Sequence, residues 1–137
     1  MIDQLTVFLE NSEGRLTAMC RTLGDAGVNM HALVVADTTD YGIVRVVCDK
    51  PAEAAEALTQ AGFRATVAQV IGVKVPDVPG GLADVFEALE KGNVNIEYSY
   101  CFAHAADGAT VAFKAAPEAE DVLSSAGFTV LAQEDLA

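Results

Sequence analysis

LTVFLENSEGRLTAMCRTL (residues 5–23) and IGVKVPDVPGGLADVFEAL (residues 71–89) are one pattern written twice. At a shift of 66 residues, Leu5, Val7 and Leu9 fall on Ile71, Val73 and Val75. Gly14 and Leu16 fall on Gly80 and Leu82, and Leu23 falls on Leu89. The correspondence continues through Val28–Asn29 and Val94–Asn95, then Gly42 and Gly108, then Pro51 and Pro117. One residue is then lost. At a shift of 65, Leu58 meets Leu123 and "AGF" at 61–63 meets "AGF" at 126–128. Self-similarity at a fixed period marks a repeated structural unit, here two copies, 1–69 and 70–137.

Each copy carries the same local signals. Leu5, Val7 and Leu9 alternate, as a strand with one buried face does. Leu16, Met19, Cys20 and Leu23 follow at i, i+3, i+4 and i+7, which is one face of a helix. Leu82, Val85, Phe86 and Leu89 repeat it. Gly27 suits the left-handed position that ends a helix, and Gly92 with Asn93 serves the same end in copy two. Second strands run through "VNMHALVVA" and "VNIEYSYCF". The turn-rich "TTDYG" and "HAADG" precede the third strands, "IVRVVC" and "ATVAFK". Pro51 and Pro117 fit the first turn of a second helix, where a missing N–H costs nothing. Leu58 and Leu123 anchor those helices, and "AGF" leads into a last strand. The order is β-α-β-β-α-β twice, an α+β fold of two ferredoxin-like units. Each unit has about 65 residues and is marginal alone. "ATVAQVIGVKV" joins them without a Gly/Ser- or Pro-rich spacer, so the copies are expected to pack as an intramolecular pseudo-dimer.

Composition narrows the function. The chain has 137 residues, 52% of them apolar, and a net charge of −12 from 20 acidic and 8 basic side chains. Such a surface repels nucleic-acid phosphates and anionic lipid. No apolar run reaches the roughly 18 residues of a membrane span, and "MIDQLTVFLE" lacks the charged and apolar regions of a signal peptide. Cys20, Cys48 and Cys101 are an odd, widely spaced set that reads as reduced, partly buried thiols. A cytoplasmic protein is expected.

The repeated turns, "NSEGRL" (11–16) and "DVPGGL" (77–82), carry the candidate chemistry. A glycine entering a helix lets a ligand approach the backbone. The first helical N–H groups have no partner within the helix and suit a carboxylate. Asn11 and Asp77 either cap the helix or receive an ammonium group. The second repeated feature is "GVNM" (27–30) and "NVNI" (93–96), where Asn29 and Asn95 offer a donor and an acceptor. The second strand is expected to begin close to the glycine turn. Asn29 and Asn95 otherwise only punctuate the loop.

These motifs resemble the ACT domains, small regulatory modules that bind amino acids. "DVPGGL" matches that family's D-x-P-G-x-L loop, and "NSEGRL" matches it with Asn11 for the aspartate and Glu13 for the proline. "AGVNM" and "KGNVNI" are close to its G-[IV]-N-I segment, and "VNIEYSYCF" is similar to its second strand. The resemblance covers nearly the whole chain, once per copy. It implies a free amino acid bound where the loop of one module faces the second strand of another. That nominates Asn11, Ser12, Gly14, Arg15 and Leu16 with Asn29 and Met30. In copy two it nominates Asp77, Val78, Pro79, Gly80 and Leu82 with Asn95 and Ile96. Leu16, Met30, Leu82 and Ile96 favour an apolar or aromatic ligand side chain. Glu13 in place of proline, and Gly81 opposite Arg15, make the loops chemically unequal. A homodimer or a partner enzyme of amino-acid metabolism is implied, and neither catalysis nor a cofactor.

Rival readings rest on fewer residues. Cys101 and His104 form C-x2-H, two ligands where a structural zinc needs four, so no metal is expected. His31 reads as a strand residue near a ligand or interface, and His104 as part of a solvated turn. Cys20 lies on the apolar stripe of its helix and Cys48 ends a strand, so neither reads as a nucleophile. Tyr98 and Tyr100 share one strand face and read as packing. A ligand-independent regulatory subunit or oligomerisation module is the alternative. An acylphosphatase-like hydrolase using Arg15 and Asn29 is opposed by Glu13 and Asp77, which repel phosphate.

Overall fold

The structure is a computed structural model that describes residues 1–36, 41–105 and 108–136, with only the backbone of Tyr41, His104 and Ala105. Its contacts divide the chain into an N-terminal unit, Asp3–Ala68, and a C-terminal unit, Gln69–Ala137 with Met1–Ile2.

The N-terminal unit holds β1 (Ile2–Glu10), α1 (Arg15–Asp25), β2 (Met30–Ala36), β3 (Tyr41–Cys48), α2 (Pro51–Gln60) and the start of β4 (Arg64–Val75). Its strands lie in the order β2-β3-β1-β4. β1 and β3 are antiparallel, with Leu5 opposite Val46 and Glu10 opposite Tyr41. The alternation in β1 works as its period requires: Leu5, Val7 and Leu9 enter a core with Met19, Leu23, Val44, Val46, Leu58 and Phe63. Of the expected α1 stripe, Met19 and Leu23 are buried and Cys20 packs against the core. Leu16 stays 40% exposed. Pro51 opens α2 as expected.

The C-terminal unit repeats this with the rest of β4, then α3 (Gly81–Lys91), β5 (Tyr98–Ala105), β6 (Gly108–Lys114), α4 (Glu118–Ser125), β7 (Val130–Leu131) and a 3₁₀ turn over Gln133–Leu136. The strand order is β7-β4-β6-β5. Ile71, Val73, Val75, Val85, Leu89, Phe113 and Leu123 belong to its core, and all but Phe113 stand at positions that the repeat aligns with core residues of the first unit. The Met1 amino group reaches Glu120 Oε2 at 3.1 Å.

Several expectations shift at element ends. Pro117 sits at the N-cap of α4 rather than within it. β2 and β5 begin at Met30 and Tyr98, so Val28, Asn29 and Val94–Glu97 precede them. The cause lies in the helix ends. Val28 N–H bonds Leu23 O and Val94 N–H bonds Leu89 O, a helix-terminating geometry that uses the backbone before a strand can. The left-handed residue is Gly27 in the first unit and Asn93 in the second. The last strand of the first copy is the start of β4, continuous with the first strand of the second copy, whereas the last strand of the second copy has two residues. His104 belongs to strand β5 rather than a turn. Residues 38–40 of "TTDYG" and 106–107 of "HAADG" lie outside the described residues.

Candidate functional site

Both glycine turns have the same backbone. Gly14 (φ 83°, ψ −8°) and Gly80 (φ 84°, ψ −5°) are the N-cap residues of α1 and α3 and are left-handed. Ser12 N–H bonds Glu10 O at 2.8 Å, and Val78 N–H bonds Pro76 O at 2.9 Å. The first i→i−4 bonds are Ala18 N–H to Gly14 O and Asp84 N–H to Gly80 O, both 3.0 Å. Because the cap position is a glycine, no side chain caps either helix from it. Asn11 and Asp77 stand three residues earlier.

Nothing lies within 4 Å of where a Cβ on Gly14 or Gly80 would sit. These glycines therefore serve the left-handed backbone, and the space before them is open. The helix N–H groups that follow them carry the positive end of the dipole. Asn11, Ser12, Asp77, Val78 and Pro79 are exposed around the turns. Val78 is 61% exposed, Leu82 42% and Leu16 40%. Each turn thus pairs polar backbone with uncovered apolar side chains.

The asparagines do not join those turns within a unit. α1 has 11 residues, which at 1.5 Å per residue places Asn29 about 16 Å from Gly14 along the helix. Asn95 is displaced from Gly80 by α3 in the same way. The expectation that the second strand starts close to the glycine turn is therefore wrong for a single unit. A helix running back along the sheet must deliver the chain to the opposite end. Asn29 N–H instead bonds Asp49 Oδ1 at 2.9 Å, and its carbonyl accepts Asp49 N–H at 3.1 Å. Met30 and Ile96 are half-buried and pack against their own cores. Asn95 is exposed and lines an open cleft of about 600 Å³ with Asn93, Glu97 and Glu118. The same separation removes the Arg15–Asn29 pairing that a phosphate-holding hydrolase would need.

Arg15 is built into a different site. Its guanidinium lies 4.5 Å above the centre of the Phe63 ring, a cation–π contact. Arg15 Nε is buried and lacks a hydrogen-bond partner among the described residues. A buried unpaired donor of this kind costs about 1–3 kcal/mol. Arg15, Phe8, Glu10, Ile43, Gly62, Phe63 and Arg64 line a pocket of about 470 Å³ wholly within the N-terminal unit. Sequence reading nominated only Arg15 of this set. Besides Arg15 for Gly81, the difference between copies extends to Glu10 and Arg64, which stand where copy two has Pro76 and Thr129.

Cys48 is fully buried. Burial pushes its thiol up, with lesser contributions from Asp49 and Glu53, against a lowering backbone hydrogen bond at Lys50. Cys101 is exposed rather than partly buried. Among the described residues, no three His, Cys, Asp or Glu side chains group as metal ligands, and no helix is long and apolar enough to cross a membrane. The side chain of His104 lies outside the described residues.

The family model of the ACT domain pair matches residues 1–137. No curated protein matches the chain. Among solved structures, protein BT0572 from Bacteroides thetaiotaomicron is 36% identical with a TM-score of 0.92, over 98% of this chain and 94% of that one. The regulatory subunit of aspartate kinase from Thermus thermophilus, in its ligand-free form, is 18% identical with a TM-score of 0.67, over 91% and 90%. Its counterpart from Thermus flavus is 18% identical with a TM-score of 0.63, over 93% and 92%. At that identity the two Thermus subunits share the fold.

Proposed function

Because the chain belongs to the ACT domain-pair family, we propose that it is a non-catalytic cytoplasmic regulatory protein that binds a free amino acid and modulates a partner enzyme. The observation that carries this is the pair of left-handed glycines, Gly14 and Gly80. Each heads a helix and has open space where a side chain would be. A carboxylate there meets the helix N–H groups beyond the first, since Arg15 N–H and Gly81 N–H already bond Ser12 O and Val78 O. The uncovered Leu16, Val78 and Leu82 suit an apolar ligand side chain. Asn29, Met30, Asn95 and Ile96 contribute only if a loop and a second-strand start come from two different modules, since one helix length separates them within a unit. The ligand would then favour one packing of modules, and that population shift is the signal. The two Thermus proteins that share the fold are by name regulatory subunits of aspartate kinase, which is compatible with an enzyme as the partner.

The test is thermal melting and calorimetric titration with each of the twenty amino acids at millimolar concentration. Binding to the native state at a hundred times Kd adds about 2.7 kcal/mol, a clear rise in Tm. Indifference to all twenty would sink the reading. It would favour a ligand-independent oligomerisation module, for which Leu33 (38% exposed) and Val35 (47% exposed) on the outermost strand β2 supply an uncovered apolar surface.

A further inference from the structure

We infer that the pocket of the N-terminal unit is where an apolar α-amino acid is held, with Arg15 and Arg64 taking its carboxylate and Glu10 its ammonium group. The inference rests on the reading that the protein binds a free amino acid, and it names a site that the glycine turns alone do not. The pocket, about 470 Å³, has an apolar lining of Phe8, Ile43 and Phe63, and its only charged members are Glu10, Arg15 and Arg64. Two cations and one carboxylate beside an apolar wall match a zwitterion with a hydrophobic side chain. A pocket of this size falls in the range for small ligands. A phosphate dianion fits less well, because Glu10 opposes it and the three side chains sum to a single positive charge.

Arg15 supplies the strongest argument. Its guanidinium carbon lies 4.5 Å from the centre of the Phe63 ring, and Nε–H has no acceptor among the described residues. An apolar side chain would cover Phe63 without leaving a buried donor unpaired. Because Nε is closed to solvent, a ligand would meet the terminal Nη groups of Arg15, whose planar fork suits a carboxylate.

The repeat provides an internal control. Copy two retains the framework, with Gly127 and Phe128 for Gly62 and Phe63. It replaces Glu10, Arg15 and Arg64 with Pro76, Gly81 and Thr129. A side chain at position 81 has no room, because its Cβ would lie 2.4 Å from Pro76 O. The fold thus needs the turn in both copies, but the charged triad in only one.

Calorimetric titration with leucine, methionine, phenylalanine and 3-phenylpropanoate, which is phenylalanine without its amino group, tests this. The wild-type chain should bind at least one of the three amino acids. If that is phenylalanine, it should bind more tightly than 3-phenylpropanoate. Arg15→Gln and Arg64→Gln should each weaken the amino acid at least tenfold. Glu10→Gln should weaken it while leaving 3-phenylpropanoate unchanged. Arg64 is exposed, so Arg64→Gln reports even where Arg15→Gln disturbs the Phe63 stack. Tight binding to the Arg64→Gln and Glu10→Gln proteins, with loss on Gly80→Ala, would overturn the inference but keep amino-acid binding itself. If none of the twenty amino acids binds the wild-type chain, the broader reading fails, and this one with it.

Discussion

Gly80 and Gly81 are neighbours with different tasks, and alanine at each separates them. At Gly80, φ is +84° and nothing lies within 4 Å of the would-be Cβ, so Gly80→Ala meets backbone strain alone. Left-handed helical backbone costs an L-residue about 1–2 kcal/mol. Restricting the unfolded chain returns about 0.4–1 kcal/mol, which leaves a net loss near ~1 kcal/mol. Gly81 is the first residue of α3, where alanine is conformationally at ease. Its Cβ, however, would lie 2.4 Å from Pro76 O and 3.4 Å from Val75 Cγ1. Pro76 O is backbone and cannot rotate away, so the end of β4 must move. Overpacking of this kind costs about 1–3 kcal/mol, occasionally more. Gly81→Ala should therefore be the more destabilising, and Gly80→Asn the mildest, since asparagine visits left-handed backbone readily. Gly14→Ala should match Gly80→Ala, because Gly14 has φ +83° and the same open surroundings. Urea unfolding followed by circular dichroism reads the order as midpoint shifts at constant slope. A Gly81→Ala protein as stable as wild type, or Gly80→Asn worse than Gly80→Ala, would refute the reasoning.

Other outcomes follow from burial. A thiol reagent at neutral pH should label exposed Cys101 at once, half-buried Cys20 slowly, and Cys48 only on unfolding; rapid native labelling of Cys48 contradicts its place in the core. Burial raises the folded Cys48 thiol above its unfolded value near ~8.5. The stability linked to it is then complete below that value and lost as pH rises through the folded one. Urea resistance should accordingly fall on the alkaline side more steeply in wild type than in Cys48→Ala. Leu58→Ala and Leu123→Ala each empty a fully buried site, and each should cost about 2–5 kcal/mol, measured by the same unfolding assay. Near-equal losses are expected from the equivalence of the two positions, and a neutral Leu58→Ala would contradict the core assignment.

Much of the fold was legible because its signals are local. Period-two alternation at Leu5, Val7 and Leu9 and helical spacing at Met19 and Leu23 need only a few neighbouring residues to be read. The shift of 66 residues then doubled every signal. Element ends were less legible: of Gly92 and Asn93 it is Asn93 that takes the left-handed position Gly27 holds, and β5 waits until Tyr98. Hydrogen bonds closing the helix claim the backbone N–H groups of Asn93 and Val94, and no propensity records that competition. The candidate site was legible only at its turns. The glycines announced themselves by type and spacing, but Glu10 and Arg64 gave no motif, and Phe63 stood out only as the end of the repeated "AGF".

The sequence by itself determined that this chain is a duplicated β-α-β-β-α-β unit with a glycine heading the first helix of each copy. Periodicity and chirality act over a few residues and survive without knowledge of the rest. Only the tertiary structure decided which residues those turns keep company with. It carried Asn29 and Asn95 a full helix length away from their glycines, because a helix must return along the sheet it covers. It brought Arg15 onto Phe63, far along the chain, because the turn after α2 returns to the edge of the sheet where α1 begins.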